Sequence, residues 1–263
     1  MLHRLIFLLG LTLTSVLSAA EFPGPGTPIE GGRKYEFPLE GHTVRILMPD
    51  APAAGNPWLY RMFWWGAFPT AENAMLKRGW AVAWIQTEDG LGTPDDNSRR
   101  TLLYEYLTQE QGFSTRPVVF GMSLGGLSGL RWVIENPEKV CGIYLDAPVA
   151  NFEAWLKPRH SRWEHVRETY GMTDEELLKG DGNPCVGVRK IAEAKVPMLL
   201  ICGDSDQIVP YETNGKIVGE NFRKAGGQIQ EIVKPGCDHH PHGLEDPAPI
   251  LEFFEKCWSE AQK

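Results

Sequence analysis

The residues Val118–Gly126 read VVFGMSLGG, an apolar run that passes through a Gly-x-Ser-x-Gly pattern into a helix-forming segment. A serine held on a tight turn between a strand and a helix is the arrangement known as a nucleophile elbow. Gly121 and Gly125 are needed there because a β-carbon would strike the neighbouring strand or helix. The turn would also aim the backbone N–H of Leu124 at a developing oxyanion. The pattern predicts that Ser123 is a nucleophile; the alternative is a packing turn or a phosphate cradle.

Two further groups are needed, because a serine hydroxyl is a poor nucleophile until a base takes its proton and an acid orients that base. The apolar run Leu199–Cys202 ends in GDSDQIVP, which puts Asp204 and Asp206 at the C-terminal end of a predicted strand. Asp146 directly follows the predicted strand after the elbow. All three carboxylates are candidates for the acid.

The candidate bases follow the last predicted strand, where residues 234–242 read KPGCDHHPH and supply His239, His240 and His242. One of the three would serve as the general base. The alternative is a metal site formed by Asp238, His239 and His242. No distant partner ligand stands out in the sequence, so we predict neither a metal site nor a cofactor.

The elbow, the acid loop and the histidine loop, in this chain order, resemble the catalytic motifs of the α/β-hydrolase superfamily. The Asp-x-x-Val-Pro run is similar to the acid loop of many members, which implies Asp206 as the acid and leaves Asp204 as a turn residue. Other members carry the acid at the position of Asp146, so that residue stays an alternative.

The histidine loop resembles the Gly-x-x-His loop of the same superfamily. This resemblance implies His239 as the base, with His240 and His242 as alternatives. In the mechanism that it implies, His239 takes the proton of Ser123 and Asp206 orients the histidine.

The second oxyanion donor of this fold comes from the loop after the third strand. Here that loop contains Trp65-Gly66, which resembles the His-Gly of related enzymes and implies the N–H of Ala67 as the donor, with Gly66 as the alternate. Trp65 and Phe68 could wall a substrate pocket, and Arg61 could anchor a polar group there. The alternative is that the aromatic residues of this loop are core residues.

Within the superfamily, the segments WGAFP (65–69) and HHPHGL (239–244) resemble exported bacterial proteins of the prolyl-oligopeptidase and dienelactone-hydrolase branch, some of which are thought to be carbohydrate esterases. The resemblance implies a hydrolase for a small carboxylic ester, such as an acyl group on a sugar. The alternatives are a prolyl-oligopeptidase-like serine peptidase and a non-catalytic domain that binds a sugar or a partner protein.

Short apolar runs alternate with helix-length segments along the chain, which predicts an α/β fold with a mostly parallel sheet and helices on both faces. Eight strands are predicted, at residues 33–37, 43–48, 58–63, 81–86, 117–120, 142–145, 198–202 and 229–233. Helices are predicted at residues 70–78, 95–111, 124–135, 213–225 and from 247 to the C-terminus. Residues 151–196 interrupt the alternation and are predicted to form a helical lid.

The composition agrees with one domain, residues 21–263, because a chain of 263 residues can bury a single large core. The formal net charge of −8 argues against a nucleic-acid partner. Residues 1–20 place Arg4 before an apolar run and end in small residues, which is typical of a signal peptide. We therefore expect export to the periplasm or beyond and no stable membrane anchor after cleavage; an uncleaved anchor is the alternative.

The chain has five cysteines and no Cys-x-x-Cys spacing that would suggest zinc or a redox pair. In an oxidising compartment, Cys185 and Cys237, which fall in predicted loops, could form a disulfide. The odd number leaves at least one thiol unpaired within the chain.

Overall fold

The structure, a computed structural model, describes residues 21–263. The predicted signal peptide lies outside these residues. The described chain forms one nine-stranded sheet. Its strands are β1 (Thr27–Ile29), β2 (Gly32–Leu39), β3 (His42–Pro49), β4 (Trp58–Arg61), β5 (Ala81–Ile85), β6 (Val118–Met122), β7 (Gly142–Asp146), β8 (Met198–Gly203) and β9 (Ile229–Lys234).

The strand order is β1-β2-β3-β5-β4-β6-β7-β8-β9. The first three strands form an antiparallel meander, β3 runs antiparallel to β5, and every other neighbouring pair is parallel. All eight predicted strands are present, so the prediction of a mostly parallel α/β sheet is confirmed. The ninth strand, β1, was not predicted, because its three residues lack an alternating apolar pattern and join the sheet edge only through backbone pairing with β2.

Helices cover both faces of the sheet, as the alternating sequence predicts. One face carries α2, α3, α6 and α7, and the other carries α1 and α8. The helices are α1 (Thr70–Lys77), α2 (Pro94–Glu105), α3 (Leu124–Glu135), α4 (His160–Tyr170), α5 (Asp174–Lys179), α6 (Pro184–Glu193), α7 (Gly215–Lys224) and α8 (Ala248–Ala261). A π-helical turn, Tyr106–Glu110, extends α2, and a second one, Phe152–Leu156, precedes α4.

Strand β8 shows how the sheet separates two cores. Met198, Leu200 and Cys202 pack on the side of α2, α3, α6 and α7. Leu199 and Ile201 pack on the side of α1 and α8. Because successive side chains of a strand point to opposite faces, a strand covered on both sides needs a continuous apolar run rather than an alternating one.

The segment between β7 and β8 contains two kinds of structure. Helix α6 packs against α3 and α7, so it belongs to the helical layer of the sheet. Residues 151–179, which we call the cap, form the π-helical turn, α4 and α5 around a third apolar cluster. That cluster includes Leu124 and Val209, the first from α3 and the second from the loop after β8.

All five cysteines are free thiols in the structure, so the suggested Cys185–Cys237 disulfide is wrong. Cys185 lies in α6 rather than in a loop, and its thiol donates to Asn183 Oδ1 at 3.4 Å. Burial raises the pKa of the Cys185 thiol to about 12, which keeps it protonated and unreactive.

No helix within residues 21–263 is long and apolar enough to cross a bilayer. The apolar side chains of the helices on both faces of the sheet pack instead into its two cores.

Helix α8 packs tightly against Gly142 of β7. A β-carbon at this position would lie 2.5 Å from Cys257 Sγ and 3.1 Å from Cys257 Cβ. We therefore expect Gly142→Ala to lower the free energy of unfolding by about 1–3 kcal/mol, as overpacked cores do. In urea unfolding, the Gly142→Ala/Cys257→Ala double variant should lose less than the sum of the two single variants. Strictly additive losses would contradict the proposed contact.

Candidate active site

Ser123 lies on the turn between β6 and α3, in a backbone conformation that is unusual for a residue with a side chain. Its φ is 50° and its ψ is −122°. A β-carbon at Gly121 would lie 2.6 Å from the carbonyl oxygen of Gly125, and one at Gly125 would lie 2.9 Å from the carbonyl oxygen of Met62. The two glycines therefore allow β6, α3 and β4 to come close enough to hold the strained serine.

The structure brings the three side chains of the expected triad together. His239 Nε2 lies 3.0 Å from Ser123 Oγ, and His239 Nδ1 lies 2.7 Å from Asp206 Oδ2. An ionised carboxylate only accepts hydrogen bonds, so Nδ1 donates to Asp206 and Nε2 keeps its lone pair toward the serine hydroxyl. His239 and Asp206 are both buried, which shields their interaction from water.

The loop after β8 fixes the carboxylate of Asp206. Its second oxygen, Oδ1, accepts the backbone N–H groups of Ile208 and Val209 at 2.8 and 2.7 Å. The other predicted acid in this loop, Asp204, is exposed and accepts the N–H of Gly236 at 2.7 Å. Asp204 thus ties the acid loop to the histidine loop and does not contact His239.

Asp238 makes a second connection between these loops. Its Oδ1 accepts the N–H of Gln207 at 2.9 Å and the N–H of His239 at 2.7 Å. These hydrogen bonds, led by the one from Gln207, lower the pKa of Asp238, so the carboxylate stays charged. The backbone of the base is therefore held by the loop that carries the acid.

The third predicted acid, Asp146, serves a different histidine. Its Oδ1 lies 2.7 Å from His242 Nδ1, while Oδ2 accepts the hydroxyl of Tyr144 at 2.8 Å and the N–H of Gly243 at 2.6 Å. The carbonyl of Asp146 also accepts the N–H of Ser123 at 2.9 Å. A second buried Asp–His pair therefore adjoins the triad. The sequence offered Asp146 as an alternative acid and His242 as an alternative base or metal ligand, but it gave no sign that the two residues pair.

His240 extends the histidine group toward solvent. Its ring stacks on Phe68, with centroids 5.4 Å apart and planes 16° apart, while Phe68 meets His242 edge-on. Desolvation, reinforced by His242 and His239, lowers the pKa of His240. Phe68 is exposed beside these histidines, where the sequence analysis expected a pocket wall.

Arg61 does not face a substrate cavity, so the expectation that it anchors a substrate is corrected. Its side chain is buried and pairs with Glu72 at 2.8 Å. The same guanidinium donates to the carbonyls of Trp64 and Ala67 at 2.5 and 2.8 Å. Arg61 therefore stabilises the conformation of the loop after β4, because its guanidinium N–H groups donate to several acceptors at once.

The same loop contains the residue expected to complete the oxyanion site. The N–H of Ala67 donates to the carbonyl of Trp64 at 3.4 Å. Phe63 adopts a positive φ of 45°, and among the described hydrogen bonds neither its N–H nor that of Trp64 has an acceptor. Trp65 is half-buried and packs against Trp84, with ring centroids 6.0 Å apart, so it contributes to the core more than to an open wall.

The cap contacts the site through the acid loop. The indole N–H of Trp155 donates to the carbonyl of Ile208 at 3.0 Å. Arg159 lies over the Trp155 ring, with its guanidinium carbon 4.0 Å from the centroid. On its other side the cap reaches the loop after β5, where Tyr170 Oη lies 2.8 Å from the carbonyl of Leu91.

Known structures share this fold. The chain superposes on a Mycobacterium tuberculosis puromycin-hydrolyzing peptidase with a TM-score of 0.64 at 13% identity, and on Porphyromonas gingivalis dipeptidyl peptidase 4 with a TM-score of 0.64 at 12% identity. A Bacteroides ovatus protein gives 0.63 at 15% identity. Each match covers 87% of this chain but only 35–39% of the other, so this chain spans little more than a third of these proteins.

The sequence also matches a family model. The model of the prolyl oligopeptidase family matches residues 98–261, which is more than half of the chain and includes the elbow, the acid loop and the histidine loop. The α/β-hydrolase superfamily and the branch that the motifs suggested are thereby confirmed. The chain belongs to the prolyl oligopeptidase family and is a serine hydrolase.

Proposed function

We propose that this chain is a serine peptidase that cleaves short peptides, with Ser123 as nucleophile, His239 as general base and Asp206 as the acid that orients the histidine. The observation that carries the proposal is the pair of contacts at His239, 3.0 Å to Ser123 Oγ and 2.7 Å to Asp206 Oδ2. Membership of the prolyl oligopeptidase family favours a peptide bond over the carboxylic or sugar ester that the sequence analysis preferred.

The proposed reaction follows from the tautomer of His239. Its Nε2 lone pair takes the hydroxyl proton as Ser123 Oγ attacks the scissile carbonyl, and Asp206 stabilises the imidazolium that forms. The imidazolium then gives the proton to the leaving amine. Water, deprotonated by the same nitrogen, attacks the acyl-enzyme and releases the second product.

Two backbone N–H groups are proposed to bind the oxyanion. The first belongs to Leu124, which begins α3 and has no acceptor among the described hydrogen bonds. For the second, Phe63 or Trp64 replaces Ala67, because the Ala67 N–H already donates within its own turn. Phe63 follows Met62, whose carbonyl oxygen lies against Gly125 of the elbow. The start of this loop is therefore next to the nucleophile.

An apolar cluster next to the elbow suits the residue on the acyl side of the scissile bond. Leu124 adjoins the nucleophile in sequence, Val209 belongs to the acid loop, and both pack with Trp155 of the cap. The half-buried ring of Phe63 packs against the same cluster. A small apolar side chain or a proline ring fits such surroundings better than a charged group.

Replacing Ser123 by Ala should lower turnover by several orders of magnitude, about 10⁴-fold or more, because triad members act as a unit. A fluorophosphonate probe should label the native chain and fail to label Ser123→Ala, with Ser128→Ala as a matched control that keeps the label. Absence of labelling in a folded native chain that still binds sugars or a partner protein would support the non-catalytic alternative and exclude the proposed reaction.

Replacing the carboxylate should affect kcat differently in the two Asp–His pairs. Asp206→Asn should lower kcat about 10⁴-fold, because an amide cannot hold His239 in the required tautomer. Asp146→Asn should have a much smaller effect on kcat, because the histidine that contacts the Ser123 hydroxyl is His239, which pairs with Asp206. Steady-state kinetics of both variants, with circular dichroism as a check on folding, decide the assignment. A larger loss of kcat for Asp146→Asn would identify Asp146 as the acid.

A matched pair of substrates separates the peptidase from the esterase. The p-nitroanilide and the p-nitrophenyl ester of one blocked dipeptide ending in proline share an acyl group and differ in the leaving group. We expect the native chain to cleave both, with Ser123→Ala as the blank, because His239 can protonate a leaving amine. Cleavage of the ester or of an acetylated sugar, with no turnover of the anilide, would instead favour the esterase.

Export belongs to the same proposal but has separate support. It depends on residues 1–20, whose composition is typical of a signal peptide and which lie outside the described residues. We predict that the enzyme meets its substrate, a small peptide or other small acyl compound, outside the cytoplasm.

A further inference from the structure

Three imidazoles converge beside the nucleophile, although the proposed reaction uses only one of them. One ring nitrogen from each of His239, His240 and His242 lies within 4.8 Å of the other two. The ring centroids are 4.9, 4.9 and 5.0 Å apart. We call these three residues the histidine cluster.

Two members of the cluster are held in the way that metal-binding histidines are held. His239 Nδ1 and His242 Nδ1 each lie 2.7 Å from a buried carboxylate, that of Asp206 and that of Asp146. A carboxylate on one ring nitrogen fixes the tautomer, orients the ring and makes the other nitrogen a better ligand. In each pair, the histidine Nε2 is therefore the ring nitrogen that can bind another partner.

Each carboxylate is itself fixed by donors that do not belong to the cluster. Tyr144 and the N–H of Gly243 hold Asp146, and the N–H groups of Ile208 and Val209 hold Asp206. The two negative charges are buried next to the cluster, where they would offset the charge of a divalent cation. The third member, His240, is exposed, and no described hydrogen bond engages its ring nitrogens.

We propose that the histidine cluster binds a divalent transition-metal cation of the zinc class and that the bound cation inhibits the enzyme. Imidazole nitrogen is a preferred ligand for Zn²⁺ and Cu²⁺, whereas Mg²⁺ and Ca²⁺ prefer oxygen ligands. On His239 the cation competes with the Ser123 hydroxyl for the Nε2 lone pair, so a chain with bound metal cannot deprotonate its nucleophile.

The required adjustment is small. Zinc–nitrogen bonds of about 2.0–2.1 Å in a tetrahedral site bring ligand nitrogens to about 3.3 Å from each other. The present separations, within 4.8 Å, must shorten by at most about 1.5 Å. The exposed ring of His240 can move toward the other two, and small rotations of His239 and His242 on their carboxylates would bring those two rings together. Asp238, which the sequence analysis placed in its metal alternative, is engaged with backbone N–H groups instead.

Isothermal titration calorimetry with ZnCl₂ tests the binding. We expect one ion per native chain, no comparable binding of Mg²⁺, and at least about tenfold weaker Zn²⁺ binding by His240→Gln. His42→Gln is the matched control, because His42 begins β3, three strands from β6 in the sheet, and should leave the affinity unchanged. Equal Zn²⁺ affinity of native chain and His240→Gln, or equal binding of Mg²⁺, would overturn the site.

The inhibition, unlike the binding, rests on the proposed roles of Ser123 and His239. Zn²⁺ should suppress fluorophosphonate labelling of the native chain, and EDTA should restore it; persistent labelling at saturating Zn²⁺ would overturn the inhibition. Ser123→Ala should still bind Zn²⁺ at least as tightly as the native chain, because the competing hydroxyl is gone. If the native chain shows no labelling even in EDTA, the proposed function fails, and calorimetry on Ser123→Ala still decides whether the metal site exists.

Discussion

The close approach of β4, β6 and α3 at the elbow is the constraint on which the rest of the site depends. The main chain of Gly121 and Gly125 passes so near its neighbours that neither position can carry a β-carbon without displacing backbone atoms. This packing holds Ser123 at a positive φ and presents its hydroxyl above the sheet. The loops after β7, β8 and β9 then need only to reach one fixed point, because parallel strands end at the same edge of the sheet.

Much of this arrangement could be predicted because it is local in sequence. The elbow needs small residues at fixed spacing, and α3 begins and ends where the sequence predicts, at Leu124 and Glu135. The buried strands β4 to β8 lie between turn residues and are mostly apolar, so all five could be located from the sequence. The choice of Asp206 and His239 came from a resemblance of short motifs, and the geometry brings those two side chains together with Ser123.

The remaining features depend on contacts between distant residues, which spacing does not reveal. Arg61 is 11 residues from Glu72, and only the fold turns both side chains into one buried pair beneath the loop after β4. The pairing of Asp146 with His242 joins residues 96 positions apart. The orientation of the Ala67 peptide group depends on a turn whose shape is set by that same buried arginine. Strand β1 depends on backbone pairing alone and leaves no pattern in its side chains.

The hydrogen bond from the Trp155 indole to the Ile208 carbonyl links the cap to the loop that carries the triad acid. Ile208 also donates its N–H to Asp206, so one peptide segment is held by the cap through its carbonyl and by the triad acid through its amide. A swing of the cap away from the cleft would pull on this segment and loosen the anchoring of the carboxylate. The position of the cap and the anchoring of the triad acid are therefore mechanically coupled through Ile208.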